Sequence, residues 1–262
     1  MENIKNSLNN VKNKMNNTSL KKKILITIII LFVIIIIVKL FQYFFEKKKK
    51  DSVFLLNGTK KASNRMIVKH KNENEILMKR SNDEDLGIEF SYTFWIYIED
   101  WSYKYGEWKH IMHKGNENSW PERSPGIWLH PVENKMRIYM NTFQKTVDFI
   151  DIDNIPINKW FHVSVCTHQR SMDIFINSKL KYSHKFSSLP KQNNGDVYIN
   201  SFRGFSGYLS NIQYHPKYLS YDTLNSILLK GPNKMPCVES GELPPYFSDD
   251  WFNKEISEIN NL

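Results

Sequence analysis

Two cysteines in 262 residues, Cys166 and Cys237, allow at most one disulfide, so the fold rests on a hydrophobic core and not on a cystine framework. In an oxidising compartment the two could pair; alternatively Cys166, inside the run WFHVSVCTH, is a buried free thiol. Charge of one sign is missing where a nucleic acid would need it. The chain carries +9, but residues 1–50 hold eleven Lys and two Glu, whereas residues 51–262 hold 25 basic and 25 acidic side chains. Nucleic-acid affinity comes from phosphate neutralisation by surplus Lys and Arg, and a formally neutral domain excludes it as the expected partner. Metal-ligand spacing is absent as well. His110, His113, His130 and His162 fit no helical zinc pair, and no dense run of oxygen ligands occurs. No long helical period appears before residue 220.

What is present begins with a hydrophobic run. From Ile24 to Leu40 the chain reads ILITIIILFVIIIIVKL, and Phe41, Tyr43, Phe44 and Phe45 extend it toward the ~20 residues that cross ~30 Å of hydrocarbon. Lys21–Lys23 and Lys47–Lys50 bracket the run as headgroup anchors, Tyr43 falls at interfacial depth, and Lys39 is near enough to the end to snorkel. A cleavable signal peptide is disfavoured, because its apolar region is shorter, ~7–15 residues, and ends at small residues. The expected partner of this segment is therefore the lipid bilayer, and the chain reads as a single-pass membrane protein. Both flanks are basic, so charge does not set orientation. The preferred arrangement puts residues 1–23, an Asn/Lys-rich tail, inside, and the large domain outside the cell, in a lumen or on a virion surface. Asn57-Gly58-Thr59 would then be a glycosylation acceptor at Asn57.

Beyond Asp51, short runs rich in aromatic and β-branched residues alternate with Gly, Asn, Asp and Pro, which predicts strands and turns. Twelve strands are expected between residues 65 and 215, enough for two packed antiparallel sheets. Phe90, Tyr92, Phe94, Ile96 and Ile98 share one parity, as do Phe161, Val163 and Val165, and these are the predicted core. Trp160, in the same run, is expected there too, with Trp160→Ala costing roughly 3–5 kcal/mol. After Ser220, a predicted N-cap, YDTLNSILLKG reads as one short helix with Leu224, Ile227 and Leu228 inward and Gly231 as its stop. A further helical turn is expected around Trp251, Phe252 and Ile256.

In order, FSYTFWIYI (90–98), PGIWLH (125–130), IPINKWFHVSV (155–165), MDIFINSKLK (172–181) and FSGYLSNIQYHPKYLS (205–220) resemble the laminin-G-like, concanavalin A-like lectin/glucanase jelly roll. Asn177-Ser178 suits a two-residue hairpin turn, and Gly207 a bulge or a close backbone approach. Membrane-anchored copies of this domain are also similar to proteins of large DNA viruses. The resemblance implies an all-β, two-sheet antiparallel sandwich with one short helix behind a single transmembrane helix. Its domains run 1–23 (tail), 24–45 (membrane helix), 46–64 (basic linker), 65–235 (sandwich) and 236–262 (C-terminal extension).

The resemblance further implies a recognition module that binds glycan or protein through loops at the sandwich rim, and no enzyme. A structural envelope protein is the alternative, and a glycoside hydrolase the weakest one. Asp148, Asp151 and Asp153 are similar to the acidic strand of jelly-roll hydrolases, but the third alternating position, 155, is Ile. Some members of this family hold Ca²⁺ at the sandwich rim, and Asn82-Asp83-Glu84-Asp85, an acidic cluster before a strand, would contribute to such a site; no other cofactor is expected. Among aromatic side chains, Trp101, Tyr103, Tyr105, Trp108 and Trp120 are the expected ligand-binding rim, since loop aromatics stack on sugars or anchor protein contacts.

Overall fold

A computed structural model describes residues 6, 22–23, 25–41, 52–72, 75–76, 78–81 and 87–237. The chain divides into two compact units, Met1–Asp51 and Ser52–Leu262. In the first, residues 25–41 are helical, and each apolar side chain there is between 43 and 64 % exposed, on every face of the helix. Among the described residues no helix is long and apolar enough to cross a membrane. The rest of the expected span, Ile24 and residues 42–45, lies outside the described residues, as does most of the tail.

The second unit is a two-sheet antiparallel sandwich. One six-stranded sheet contains, in spatial order, β1 (Val53–Lys61), β14 (Ser206–His215), β5 (Glu89–Asp100), β10 (Trp160–His168), β11 (Ser171–Ile176) and β12 (Lys179–Lys185). The other runs β2 (Met66–Val68), β13 (Asp196–Ile199), β6 (Lys109–Gly115), β7 (Arg123–Leu129), β8 (Lys135–Met140) and β9 (Asp148–Asp153). A small pair, β3 (Lys71–Asn72) and β4 (Glu75–Ile76), lies apart. The alternation that predicted the core is what the sheets use. Phe90, Tyr92, Phe94, Ile96 and Ile98 of β5 and Phe161, Val163 and Val165 of β10 are all at most 2 % exposed, in one cluster with Ile111, Ile127, Ile138 and Ile152 of the second sheet.

Three local expectations are met by backbone geometry. Asn177 and Ser178 have φ of 50° and 60°, the two positive values a tight hairpin between β11 and β12 needs. Gly207 has φ 144° at a register shift between β14 and β5, where an added Cβ would lie 1.9 Å from the Tyr97 carbonyl oxygen. The helix α1 (Tyr221–Lys230) is capped by Ser220, whose hydroxyl accepts from the Thr223 N–H, and closed by Gly231 at φ 72°. Its Leu224 packs with Cys166 and Leu219 in a second small apolar cluster on the outer side of the first sheet.

The structure corrects several expectations. Val53–Lys61, read as linker, is the edge strand β1, paired along its length with β14. Two register shifts break its alternation into buried doublets, Leu55-Leu56 and Gly58-Thr59, so no period of two was visible. Trp160 is only half-buried, directly opposite Tyr97 with ring centroids 5.6 Å apart, and it is Phe161 that points into the core. Cys166 and Cys237 are not bonded to each other: Cys166 faces α1, whereas Cys237 packs against the main core and donates its N–H to the Thr59 carbonyl at 2.8 Å. The expected terminal turn near Trp251 and the loop Asn82–Asp85 lie outside the described residues.

Candidate ligand-binding face

The five aromatic residues expected at one rim are divided among different tasks. The turn after β5 is held by Asp100, whose carboxylate accepts from the Ser102 N–H at 2.8 Å and hydroxyl at 2.7 Å; these bonds hold Asp100 below the usual carboxylate pKa. Trp101 packs inward against the core, and the Lys109 ammonium lies 5.8 Å from its ring centroid. Tyr103 donates its hydroxyl to the Arg203 carbonyl at 3.0 Å, tying this turn to the loop before β14. Tyr105 stands 66 % exposed at the tip. Trp108 and Trp120 belong to a different surface, the outer face of the second sheet.

That face is built by strand alternation. Met136, Ile138 and Met140 of β8 and Ile150 and Ile152 of β9 point inward, so Arg137, Tyr139, Phe149 and Asp151 must point outward, with Tyr139 opposite Phe149 and Arg137 opposite Asp151. Arg137 binds Asp151 through two parallel bonds of 2.6 Å, and its guanidinium carbon lies 4.0 Å from the Phe149 ring centroid and 4.8 Å from that of Trp108. Arg123 folds back over β7 and places its guanidinium 3.6 Å from the Tyr139 ring centroid and 6.0 Å from that of Trp120. Gly126 makes room for it: a Cβ there would stand 3.2 Å from Arg123 Cδ. Rings and cations thus run without interruption from Trp108 to Trp120.

Toward β13 the same face continues through Trp128, His110, His113 and Tyr198. Phe202 stacks on Trp128 at 5.5 Å and lies 5.6 Å from His110, and His113 stacks on Tyr198 at 4.9 Å. The two histidines have defined tautomers. The Ser201 N–H donates to His110 Nδ1 at 2.9 Å, so His110 carries its proton on Nε2 and gives it to His113 Nδ1 at 2.7 Å; His113 Nε2–H then donates to the Asn116 carbonyl at 2.8 Å. Burial keeps both neutral: it pushes His113 down to about 4 and His110 well below its ordinary value. Phe202, with φ 53°, and its neighbour Arg203, at 65°, are left-handed non-glycine residues of the kind found at functional sites, as is Asn200 at 52°. Three rings remain open to solvent: Phe149 at 43 %, Phe202 at 44 % and Trp120 at 57 %. Beside Trp120 is a pocket of about 410 Å³ whose walls include Pro121, Glu122, Thr142, Gln144, Lys191 and Asn193.

Outward residues were legible strand by strand, yet Arg123, Arg137, Tyr139, Phe149, Trp128 and Phe202 escaped the sequence reading. The available signal was the outward parity of MRIYM and DFIDID, the complement of the parity that marked the core. The aspartates of β9 are not free carboxylates: Asp148 meets His184 at 3.2 Å, Asp151 is held by Arg137, and Asp153 lies 3.5 Å from Lys135. Among the described residues no group of three His, Cys, Asp or Glu is placed to hold a metal ion. Asn57 is exposed on β1, whereas Thr59 of the same triplet is buried with its hydroxyl bonded to the Asn233 carbonyl.

The Laminin_G_3 family, described as the concanavalin A-like lectin/glucanases superfamily, matches residues 57–224, nearly two-thirds of the chain. The chain belongs to this superfamily. No curated protein matches it. Similar solved structures include the receptor binding domain of botulinum neurotoxin C/D mosaic serotype, at 18 % identity and TM-score 0.51 over 66 % of this chain and 42 % of that one. A second is the ligand binding domain of botulinum neurotoxin serotype D in complex with N-acetylneuraminic acid, at 16 % identity and TM-score 0.51, covering 68 % of this chain and 44 % of the other. The lectin/glucanase sandwich described above therefore spans less than half of each of these toxin domains, and at such identities the likeness concerns the fold. A superfamily of lectins and glucanases includes binders and hydrolases alike, so function is argued from the site.

Proposed function

We propose that this protein is a membrane-anchored recognition module whose sandwich binds a glycan or protein ligand outside the cell, in a lumen or on a virion surface. The observation that carries the reading is the outer face of the second sheet, where exposed rings flank guanidinium groups already stacked on aromatics. Buried in a contact, such rings and arginines are the residues that dominate binding energy. Membership of the lectin/glucanase superfamily supports binding as a function of the fold. The acid pairs on β9 argue against hydrolysis, because a retaining glycosidase needs two carboxylates ~5–5.5 Å apart and here Asp151 is committed to Arg137. The anchor is supported by helical residues 25–41, apolar all round except Thr27 and Lys39 and exposed on all sides, a pattern soluble surfaces do not carry. A glycan array probed with the detergent-solubilised chain tests the binding reading. Retained binding in Trp120→Ala and Phe149→Ala would move the ligand to another surface.

A further inference from the structure

Among the described residues, Arg123 is a cation on this face whose charge is left without a counter-ion. Arg137 is neutralised by Asp151, Lys191 lies 3.6 Å from Glu122, and Arg65 is held by Glu117 at 2.6 Å. Arg123 forms no ion pair with any described carboxylate; its guanidinium lies on Tyr139, and its Nε is buried with no hydrogen-bond partner among the described residues. Burial lowers its pKa, the Tyr139 hydroxyl opposes this, and the neighbouring Arg137 adds to the lowering. A guanidinium desolvated beside a second cation and lacking an anion is costly, and an anion brought by a ligand would offset that cost.

We infer, building on the proposed binding face, that Arg123 is the docking point for the acidic group of a charged sugar, a carboxylate or a sulfate ester. Two features favour a sugar over a bare anion. Trp120, 57 % exposed and 6.0 Å from the Arg123 guanidinium, presents an indole face on which a pyranose ring can stack while its acidic group reaches the guanidinium fork. Pro121 and Glu122, the residues between them, line the 410 Å³ pocket, whose Gln144 supplies an amide for sugar hydroxyls, while Thr142 and Asn193 are bonded to Lys145 and Lys114 and shape its wall. Gly126 leaves room for Arg123 on this face, since a Cβ there would stand 3.2 Å from Arg123 Cδ.

The test is calorimetric titration of the whole chain in non-ionic detergent with three trisaccharide- or disaccharide-sized probes: sialyllactose, 3′-sulfolactose and lactose. The wild type should bind at least one acidic probe at least tenfold more tightly than lactose, with the preference shrinking as salt rises from 50 to 500 mM, and whichever acidic probe binds more tightly identifies the anion. Arg123→Gln should erase the acidic preference with an unchanged melting temperature, and Arg123→Lys should restore it only in part, because the planar fork is lost. Equal binding of acidic and neutral probes by the wild type, or an Arg123→Gln variant that keeps the preference, overturns the inference while leaving the binding face standing. Absence of binding to all three probes overturns the inference. If Trp120→Ala also binds lactose as the wild type does, the face itself is refuted as a glycan site.

Discussion

Acid should destabilise the sandwich well above the pH at which its carboxylates titrate. His110, His113 and His162 have no exposed surface and His215 is 7 % exposed. Burial pushes His113, His162 and His215 down to about 4, with nearby cations or histidines adding smaller effects in all but one direction: the Asn116 carbonyl acts in the opposite sense on His113. An unfolded histidine titrates near ~6.5, so between pH 6.5 and 4 the unfolded chain binds protons that the folded chain refuses. Depressed folded values mean that the full stability is present above pH 6.5 and is lost as pH falls. At pH 5.5 each of these three groups costs about 1.4 kcal/mol relative to pH 8, roughly 4 kcal/mol together, and His110 acts in the same direction. Against a typical total of 5–15 kcal/mol, that is a large share. The measurement is urea unfolding of the whole chain by tryptophan fluorescence at pH 8, 6.5 and 5.5. The loss should steepen toward ~1.4 kcal/mol per pH unit for each histidine. His162→Phe isolates one share: its Nε2 has no partner among the described residues and its ring packs on Trp95 at 5.2 Å, so the variant should keep the fold and flatten the slope by one histidine's worth. An unfolding free energy that stays level from pH 8 to 5.5 would refute the reasoning.

Phe161→Ala should cost roughly 3–5 kcal/mol through an unfilled core cavity, whereas Trp160→Ala, on a half-buried ring beside Tyr97, should cost clearly less; thermal melts of the two variants reverse this order if the strand register is wrong. Replacing Ile34 and Ile35 with Lys should release the chain from membranes, since each central Lys costs about 2.5–3.5 kcal/mol on insertion scales, and carbonate-resistant pelleting of that variant would rule out a span. Trp101→Ala should lower the melting temperature with ligand affinity following stability, and Trp120→Ala should lower affinity alone; equal melting losses would make both of them packing residues.

The core was legible because burial on one face of a strand imposes a period of two, and Phe90 through Ile98 keep it without a break. The hairpin at Asn177-Ser178, the bulge at Gly207 and the cap at Ser220 were legible because each requires a particular residue chemistry at one position. Strand β1 was not, since VFLLNGTKK crosses two register shifts and its buried residues come in pairs. The candidate site was half legible. Loop position suggested Trp101 and Trp120 equally, and nothing local in the sequence separates a tryptophan that turns back into the core from one that stays 57 % exposed. The rest of the face depends on cross-strand register: Tyr198 meets His113, His113 meets Gly126, Gly126 meets Tyr139 and Tyr139 meets Phe149, although these residues lie far apart in the chain.

That origin bears on what the face can do. Aromatic side chains on loops adjust to a ligand and lose conformational entropy when they order, whereas Tyr139, Trp128 and Arg137 stand on strands whose inward neighbours Ile138, Ile127 and Met136 are fully buried. Their spacing is therefore set before any ligand arrives. The exposed rings sit at the margins, Trp120 before β7 and Phe202 before β14, each touching a strand-borne group, Arg123 or Trp128. On the proposed binding reading, a strand-borne centre with aromatic side chains at its edges would select a ligand through the fixed positions of charge and ring. The same arrangement explains why the buried histidine pair lies under Phe202: the Ser201 N–H that seats this loop is held by His110 Nδ1, so the neutral imidazole that stabilises the fold also holds one edge of the face in place.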